Sequence, residues 1–160
     1  MDMPAQMNRQ DGRPKVPFFV PLFNPLARRL LGAGLPLGPN ALLTVRGRKS
    51  GQLRTTPVAL VEINGRRWII GTFGEVNWVR NLRANADATI NFKRRQQSVR
   101  AVELSMPEAA HFFREQLTPY VNRIPFGRFL IGSILGAREI LADPDNAATR
   151  HPVFELQSTN

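Results

Sequence analysis

The sequence has no cysteine and is poor in acidic residues. Its 160 residues include 22 lysines and arginines but only 12 aspartates and glutamates, which gives a formal net charge of +10. The absence of cysteine excludes disulfides, thiolate nucleophiles and cysteine-ligated zinc or iron–sulfur centres. The excess of positive charge favours an anionic partner, which from composition alone is a nucleic acid, an acidic membrane or a phosphorylated small molecule.

A long uninterrupted apolar run is also missing. Residues 16–37 are apolar, but Arg28, Arg29 and several prolines interrupt them, so they make a poor spanning helix, which needs about 20 mostly apolar residues. Residues 1–15 are polar and show no secretory signal, which predicts a cytoplasmic protein. Two interpretations of residues 16–37 stay open: peripheral contact of an amphipathic helix with the inner face of the cell membrane, or a short helix packed on the protein.

The length and the 42% of hydrophobic residues fit one globular domain. We predict an N-terminal extension with a short amphipathic helix over residues 1–39 and a barrel domain over residues 40–160. The apolar and alternating segments that predict strands, with their turn signals, are residues 41–45, 53–63, 66–72, 88–93, 98–104 and 152–156. Consecutive antiparallel strands with a few helices predict a small closed barrel in the α+β class, mainly β.

Two helices are predicted from their residue patterns. Residues 77–85 place Trp78 and Leu82 on one side. The second helix begins at Ser105, whose serine cap and the glutamate three residues later form a capping-box pattern, and we expect it to stop near Pro119. A further apolar segment, residues 126–137, has three open interpretations: a lid over a substrate, an oligomer interface or a lipid contact.

A cluster of cations surrounds a glycine-bearing turn, which we call the basic turn (residues 46–54). It holds Arg46, Arg48, Lys49 and Arg54 around Gly47 and Gly51, with no acidic residue. Cations, a serine hydroxyl and accessible backbone N–H groups are the chemistry of a phosphate or carboxylate clamp. The alternative without a ligand is a solvated hairpin tip. Nucleic acid is disfavoured, because few aromatic residues lie near the turn to stack on bases.

Three segments resemble one protein family. Residues 43–57 (LTVRGRKSGQLRTTP) resemble the opening motif of the deazaflavin-dependent nitroreductase family of actinobacterial proteins. Residues 74–85 (GEVNWVRNLRAN) are similar to the family's second motif, and residues 150–156 (RHPVFEL) to a common ending. The resemblance implies an FMN-binding-like split β-barrel with peripheral helices that binds coenzyme F420, a deazaflavin with a phosphate and an oligoglutamate tail.

The family's site residues carry over to matching positions of this chain. The resemblance implies that the phosphate or tail is held by Arg48, Lys49, Ser50 and Arg54. It implies that Thr56, Pro57 and Val58 lie along the ring system, and that the pocket is completed by Gly71, Thr72, Phe73, Asn77, Trp78 and Asn81.

The implied activity is hydride transfer from reduced F420 to a quinone, a nitroaromatic or an activated alkene, with the cofactor supplying the difficult chemistry. Tyr120, the only tyrosine, either donates a proton or lines the pocket. The two histidines lack companion ligands, so no metal site is expected. A non-catalytic carrier of the coenzyme or of a lipid-like ligand is the alternative function. The oligomeric state, monomer or homodimer, stays open.

Overall fold

The protein is described here as a computed structural model that covers residues 40–125 and 138–159. The predicted N-terminal extension (residues 1–39) and the apolar segment 126–137 lie outside the described residues. Six strands are present, close to the predicted positions: β1 (Ala41–Arg46), β2 (Leu53–Ile63), β3 (Arg66–Ile70), β4 (Asp87–Phe92), β5 (Arg95–Glu103) and β6 (Val153–Ser158).

The strands form a closed antiparallel barrel in the order β1-β2-β3-β6-β5-β4. Closure comes from β1, which pairs with β2 on one side, Leu43 opposite Thr56, and with β4 on the other, Leu43 opposite Ile90. Closing the sheet leaves no unpaired strand edge. The predicted fold class, α+β and mainly β with peripheral helices, is confirmed.

Two tight turns set the register of the hairpins. Asn64 and Gly65 both have positive φ, 51° and 77°, which is the conformation that an Asn-Gly pair adopts most readily between twisted strands. Lys93 and Arg94 also have positive φ, 50° and 62°, although neither is glycine. Because the second turn is this tight, β5 begins at Arg95 rather than at the predicted residue 98.

In the described residues, five short helices accompany the barrel. They are α1 (Asn77–Ala84), α2 (Met106–His111), α3 (Thr118–Arg123), α4 (Arg138–Ala142) and α5 (Pro144–Ala148), and a π-helical turn (Phe112–Leu117) joins α2 to α3. None of the described helices has the length and apolar character that crossing a membrane requires.

The helix predicted to stop near Pro119 continues instead. Ser105 forms the expected capping box with Glu108. At the π-helical turn the backbone N–H of Thr118 donates to the carbonyl of Phe113, and its hydroxyl donates to the same oxygen at 2.7 Å. The widened turn accommodates Pro119, which has no N–H to donate and would interrupt a regular α-helix.

The strands separate two hydrophobic clusters. The interior cluster fills the barrel with alternate residues such as Leu43, Leu60 and Ile69, and α1 adds Val79 and Leu82 to it. The outer cluster packs the opposite faces of β2, β3 and β6 against the later helices, with Trp68, Phe112, Phe113 and Ile140 at its centre. Each large side chain buried this way contributes roughly 1.5–3 kcal/mol. The strands and helices are therefore held firmly against one another.

Candidate functional site

A cleft lies between the basic turn, the adjoining parts of β1 and β2, and helix α1. Its volume is about 660 Å³, which lies in the range of small-molecule sites. The residues that line it are Leu42, Val45, Gly47, Arg48, Lys49, Ser50, Arg54, Thr55, Thr56, Pro57, Asn77, Trp78 and Asn81.

The backbone of the basic turn is held by its own hydrogen bonds. The N–H of Gly47 donates to the carbonyl of Gln52, and the N–H of Gly51 donates to the carbonyl of Gly47, both at 2.8 Å. The guanidinium of Arg46 donates to the carbonyl of Gly51 at 2.8 Å. A Cβ on Gly47 would lie 2.8 Å from the hydroxyl of Ser50 and 3.2 Å from the carbonyl of Gln52, so a larger residue would displace the Ser50 side chain and crowd the backbone of the turn.

Arg48 connects the basic turn to helix α1. Its backbone N–H and its guanidinium Nη1 both donate to the side-chain oxygen of Asn81, at 3.2 and 2.9 Å. Asn81 is 6% exposed, so this oxygen has little access to water and depends on the two donors. These hydrogen bonds join the turn to the helix, although the two residues are 33 positions apart in the sequence.

The cations of the basic turn have no acidic partner. Within residues 40–125 and 138–159, every ion pair involves a cation elsewhere in the chain. The backbone N–H groups of Lys49 and Ser50 also have no hydrogen-bond partner in that part of the chain, and both residues are exposed. Unpaired cations beside accessible N–H groups make a site for an anion.

Helix α1 forms the opposite wall of the cleft. Trp78 is mostly buried, with its ring centroid 5.9 Å from that of Phe154 in the barrel interior. Arg83, on the far side of the helix, donates to Glu75 at 2.6 Å and, through two nitrogens, to Glu103 at 2.9 and 2.7 Å. The hydrogen bonds that Arg83 donates to Glu103 and Glu75 raise the pKa of Arg83 well above its ordinary value. The helix is therefore fixed to β5 and to the loop that precedes it.

The structure brings most, but not all, of the predicted site residues together. Val58 faces the barrel interior and is 3% exposed. The predicted loop residues Gly71, Thr72 and Phe73 do not line the cleft either. The remaining predicted binding residues do line it, as do four that the sequence reasoning did not select: Leu42, Val45, Gly47 and Thr55. The available signal for Thr55 was its place between the predicted residues Arg54 and Thr56. Leu42 lies opposite the predicted residue Pro57 once β1 and β2 pair, which the sequence alone does not show.

Tyr120 lies on α3, outside the cleft. It is partly buried against the outer cluster. Burial and, to a smaller extent, the negative charge of Glu62 raise the pKa of its phenol. The hydroxyl groups among the residues that line the cleft belong instead to Ser50, Thr55 and Thr56. In the part of the chain that the structure describes, no group of three or more histidine and acidic side chains is placed to hold a metal ion.

Solved structures share the architecture of this chain. A putative 5-nitroimidazole antibiotic resistance protein from Bacteroides thetaiotaomicron aligns over 83% of this chain and 80% of its own, at 11% identity and a TM-score of 0.52, which is a likeness in fold. The barrel is thus the predicted split β-barrel. An F420-H2 dependent reductase aligns over 74% of this chain and 94% of its own, at 22% identity and a TM-score of 0.44. A protein described as a domain-swapped dimer aligns over 74% and 80%, at 24% and 0.49.

The sequence comparison is more specific than the structural likeness. The family described as F420H(2)-dependent quinone reductase matches residues 27–124, which is more than half of the chain and includes the basic turn and α1. The predicted cofactor, coenzyme F420, and the predicted class of enzyme, an oxidoreductase that depends on its reduced form, are those of this family. The chain belongs to the F420H(2)-dependent quinone reductase family.

Proposed function

We propose that the cleft holds coenzyme F420 with its anionic tail on the basic turn and its ring system between β2 and α1, and that a quinone is the substrate reduced. The observation that carries this proposal is the set of unpaired cations at one end of the cleft. A phosphate and an oligoglutamate tail have the matching charge. Residues Leu42, Pro57 and Trp78 give the other end the apolar and aromatic surface that a flat ring requires.

The residues of the basic turn have different roles in binding. Arg48 is held by Asn81, so its charge is fixed in direction. Lys49 and Arg54 are exposed and unpaired within the described residues, so they are free to reach successive anionic groups. The free N–H groups of Lys49 and Ser50 add neutral donors at the same place. Together they bind and orient the coenzyme without taking part in bond changes.

When the coenzyme is bound it supplies a hydride, and the residues of the cleft orient it toward the substrate. A quinone that accepts a hydride gains two electrons and becomes an anion, which takes one proton to give the hydroquinone. In the cleft that proton comes from solvent or from a hydroxyl group of Ser50, Thr55 or Thr56. Thr55 already shares a hydrogen bond of 2.8 Å with Thr44, so proton passage along this pair of hydroxyls is available. A nitroaromatic or an activated alkene is reduced by the same two-electron step.

The test is a titration of the purified protein with oxidised and reduced F420, compared with FMN and single-stranded nucleic acid. Replacing Lys49 and Arg54 together by alanine should weaken F420 binding about 100-fold, because each lost charge-assisted contact is worth about 1.5 kcal/mol or more. The binding that remains should depend less on salt. The matched control is Arg95→Ala with Arg123→Ala, which removes two exposed charges outside the cleft.

Turnover separates an enzyme from a carrier. Oxidation of reduced F420 in the presence of menadione supports a quinone reductase, and a nitroaromatic tested beside it ranks the substrates. Tight binding without oxidation of the coenzyme would favour the alternative function, a non-catalytic carrier. Equal affinity for F420 in the Lys49/Arg54 variant and in the wild type would refute the proposed clamp.

The proposal also includes peripheral contact of residues 16–37 with an acidic membrane, which would bring the cleft near membrane quinones. What supports it is the apolar sequence around Arg28 and Arg29. Sedimentation of the full chain with vesicles that contain acidic lipid should exceed sedimentation of a chain that starts at residue 38. Analytical ultracentrifugation of the same two proteins decides between monomer and homodimer.

A further inference from the structure

His151 is a buried titratable residue that the proposed chemistry does not use. The residue is 6% exposed and lies just before β6. Its Nδ1 is 3.2 Å from the carbonyl oxygen of Gly71, and its Nε2 is 2.6 Å from Oε1 of Glu139 on α4. None of these three residues lines the cleft. The imidazole ring therefore joins the helices at the end of the chain to the loop between β3 and α1.

Both neighbours of the ring are hydrogen-bond acceptors. The Gly71 carbonyl can only accept. The hydrogen bond from His151, supported by the positive charges of His151 and Arg150, holds the pKa of Glu139 below its ordinary value, so its carboxylate is ionised and also only accepts. A neutral imidazole has one N–H and one lone pair. Only the doubly protonated ring can donate to both oxygens.

The other charged groups around the ring have partners of their own. On its own segment, Arg150 donates to Oε2 of Glu139 at 3.2 Å. On α5, Asp145 is paired with Arg114, and Asp143 caps the helix by accepting from the N–H of Asn146. Across the loop, Glu75 is paired with Arg83. The carboxylate of Glu139 is thus the only acidic group in hydrogen-bond contact with the ring in the described ranges.

The contact with Gly71 is the first of a series that leads to the cleft. Gly71 is held from its other side, because its N–H donates to the carbonyl of Pro152 at 2.8 Å. A Cβ on Gly71 would lie 3.1 Å from both the Gly74 carbonyl and the Pro152 ring, so the loop is pressed against the start of β6. The N–H of Gly74 then donates to the carbonyl of Gly71 at 2.9 Å.

The series continues into the first turn of α1. The N–H of Val76 donates to the carbonyl of Gly74 at 2.9 Å, and the N–H of Arg80 donates to the carbonyl of Val76 at 3.3 Å. Val76 is the residue that caps α1, and its side chain makes no capping hydrogen bond. The position of the helix start therefore depends on the loop before it. This helix presents Asn77, Trp78 and Asn81 to the cleft.

We propose that His151 in its imidazolium form is a positioning residue for the coenzyme cleft, acting through the Gly71 carbonyl and the loop to α1. The inference rests on the proposed function, because it concerns the affinity of that cleft for F420. When the ring loses a proton, one of its two contacts is lost and the loop is released on one side.

The first test is the dissociation constant of oxidised F420 between pH 6 and 9 for the wild type, for Glu139→Gln and for His151→Gln. In Glu139→Gln the amide can donate to a neutral ring while Nδ1–H still donates to Gly71, so the contact no longer needs the proton. The wild type should lose about three- to tenfold more affinity across this range than Glu139→Gln. His151→Gln should bind more weakly at pH 6 and approach the wild type at pH 9. Comparison between variants cancels the titration of the coenzyme itself.

The second test reads the ring directly in coenzyme-free protein. The chain has two histidines, and His111 is exposed, so His111→Asn assigns the imidazole nitrogen signals in an NMR titration. His151 should be doubly protonated at pH 6, and its deprotonation should speed amide hydrogen exchange at Gly74 and Val76. A neutral ring at pH 6, or superimposed pH profiles for the wild type and Glu139→Gln, overturns the inference. If the Lys49/Arg54 variant also binds F420 normally, the proposed function has failed, and the NMR titration still decides the state of His151.

Discussion

The cations of the basic turn and those of the rest of the barrel are used in different ways. Outside the turn, several arginines are paired with carboxylates: Arg66 with Glu155, Arg83 with Glu75 and Glu103, and Arg114 with Asp145. In the basic turn the guanidinium side chains have only neutral oxygens as partners among the described residues, the Asn81 amide for Arg48 and the Gly51 carbonyl for Arg46.

The difference follows from where the acidic residues fall in the sequence. Between residues 40 and 61 there is no aspartate or glutamate, and Glu62 is turned toward Lys93. The turn therefore keeps its charge for a ligand, whereas the paired cations elsewhere contribute to stability or hold elements in place. Four predictions, one of them with a matched control variant, test this comparison.

Asn81→Asp should have the largest effect, because it gives the basic turn an acidic partner. The carboxylate keeps the acceptor that Arg48 uses but neutralises that cation and repels an anionic tail. We expect F420 to bind about tenfold more weakly, as one added charge near the ligand implies, while the midpoint of thermal unfolding stays close to that of the wild type.

The control for this substitution adds the same charge elsewhere. Gln157 is exposed on β6, opposite Arg100 and outside the cleft. Gln157→Glu should leave F420 affinity unchanged within about twofold. Equal losses in the two variants would show that net charge, rather than the basic turn, governs binding.

Arg83→Ala should lower stability while changing F420 affinity little, which is the reverse of Asn81→Asp. It removes an arginine that holds two carboxylates on different elements. Because all three side chains are partly exposed, the expected loss in the free energy of unfolding is about 1 kcal/mol. F420 affinity should change only a few-fold, through the looser anchoring of α1. Chemical denaturation and a coenzyme titration measure the two effects separately, and a loss of binding larger than that of Asn81→Asp would contradict the comparison.

Sequence alone predicted the barrel better than the helices that cover it. The strands were found because alternating apolar residues and turn pairs such as Asn64-Gly65 are local signals. Helices α4 and α5 were missed because they are five residues each and are held by packing, Ile140 and Ala147 being buried in the outer cluster. Such short helices are marginal on their own, so their sequences carry little signal.

In the site, sequence reasoning brought together the basic turn and α1 through the family resemblance. It did not predict the contact between Arg48 and Asn81, because hydrogen bonds between residues 33 positions apart depend on how a helix packs on a turn. Gly71, Thr72 and Phe73 were expected in the pocket. The chain turns away at Gly71, where its N–H pairs with Pro152, and this leaves Phe73 72% exposed.

A smaller effect on stability is expected when the pH is lowered. The pKa of Glu75 lies below its ordinary value because of hydrogen bonds from Arg83, and that of Glu139 does so because of His151 and Arg150. A carboxyl whose pKa is lower in the folded state stabilises the protein above its unfolded pKa, and this contribution is lost as the pH falls through the folded value. As the pH is lowered below about 4.5, the thermal midpoint of the wild type should therefore fall more steeply than that of a Glu75→Gln/Glu139→Gln variant. Parallel curves would show that neither carboxylate contributes.

Arg114→Ala should have the smallest effect, and it sets the scale for the others. Arg114 donates to both oxygens of Asp145, at 2.6 and 2.7 Å, but the two side chains are 48% and 71% exposed. Water and salt screen such a pair, and ordering two mobile side chains offsets the gain, so the expected cost is below about 0.5 kcal/mol. A cost well above that, measured by denaturation at low salt, would mean that exposed pairs stabilise this barrel more than their geometry suggests. The absence of acidic partners in the basic turn would then mean a larger loss of stability, one that leaves the turn free to bind its ligand.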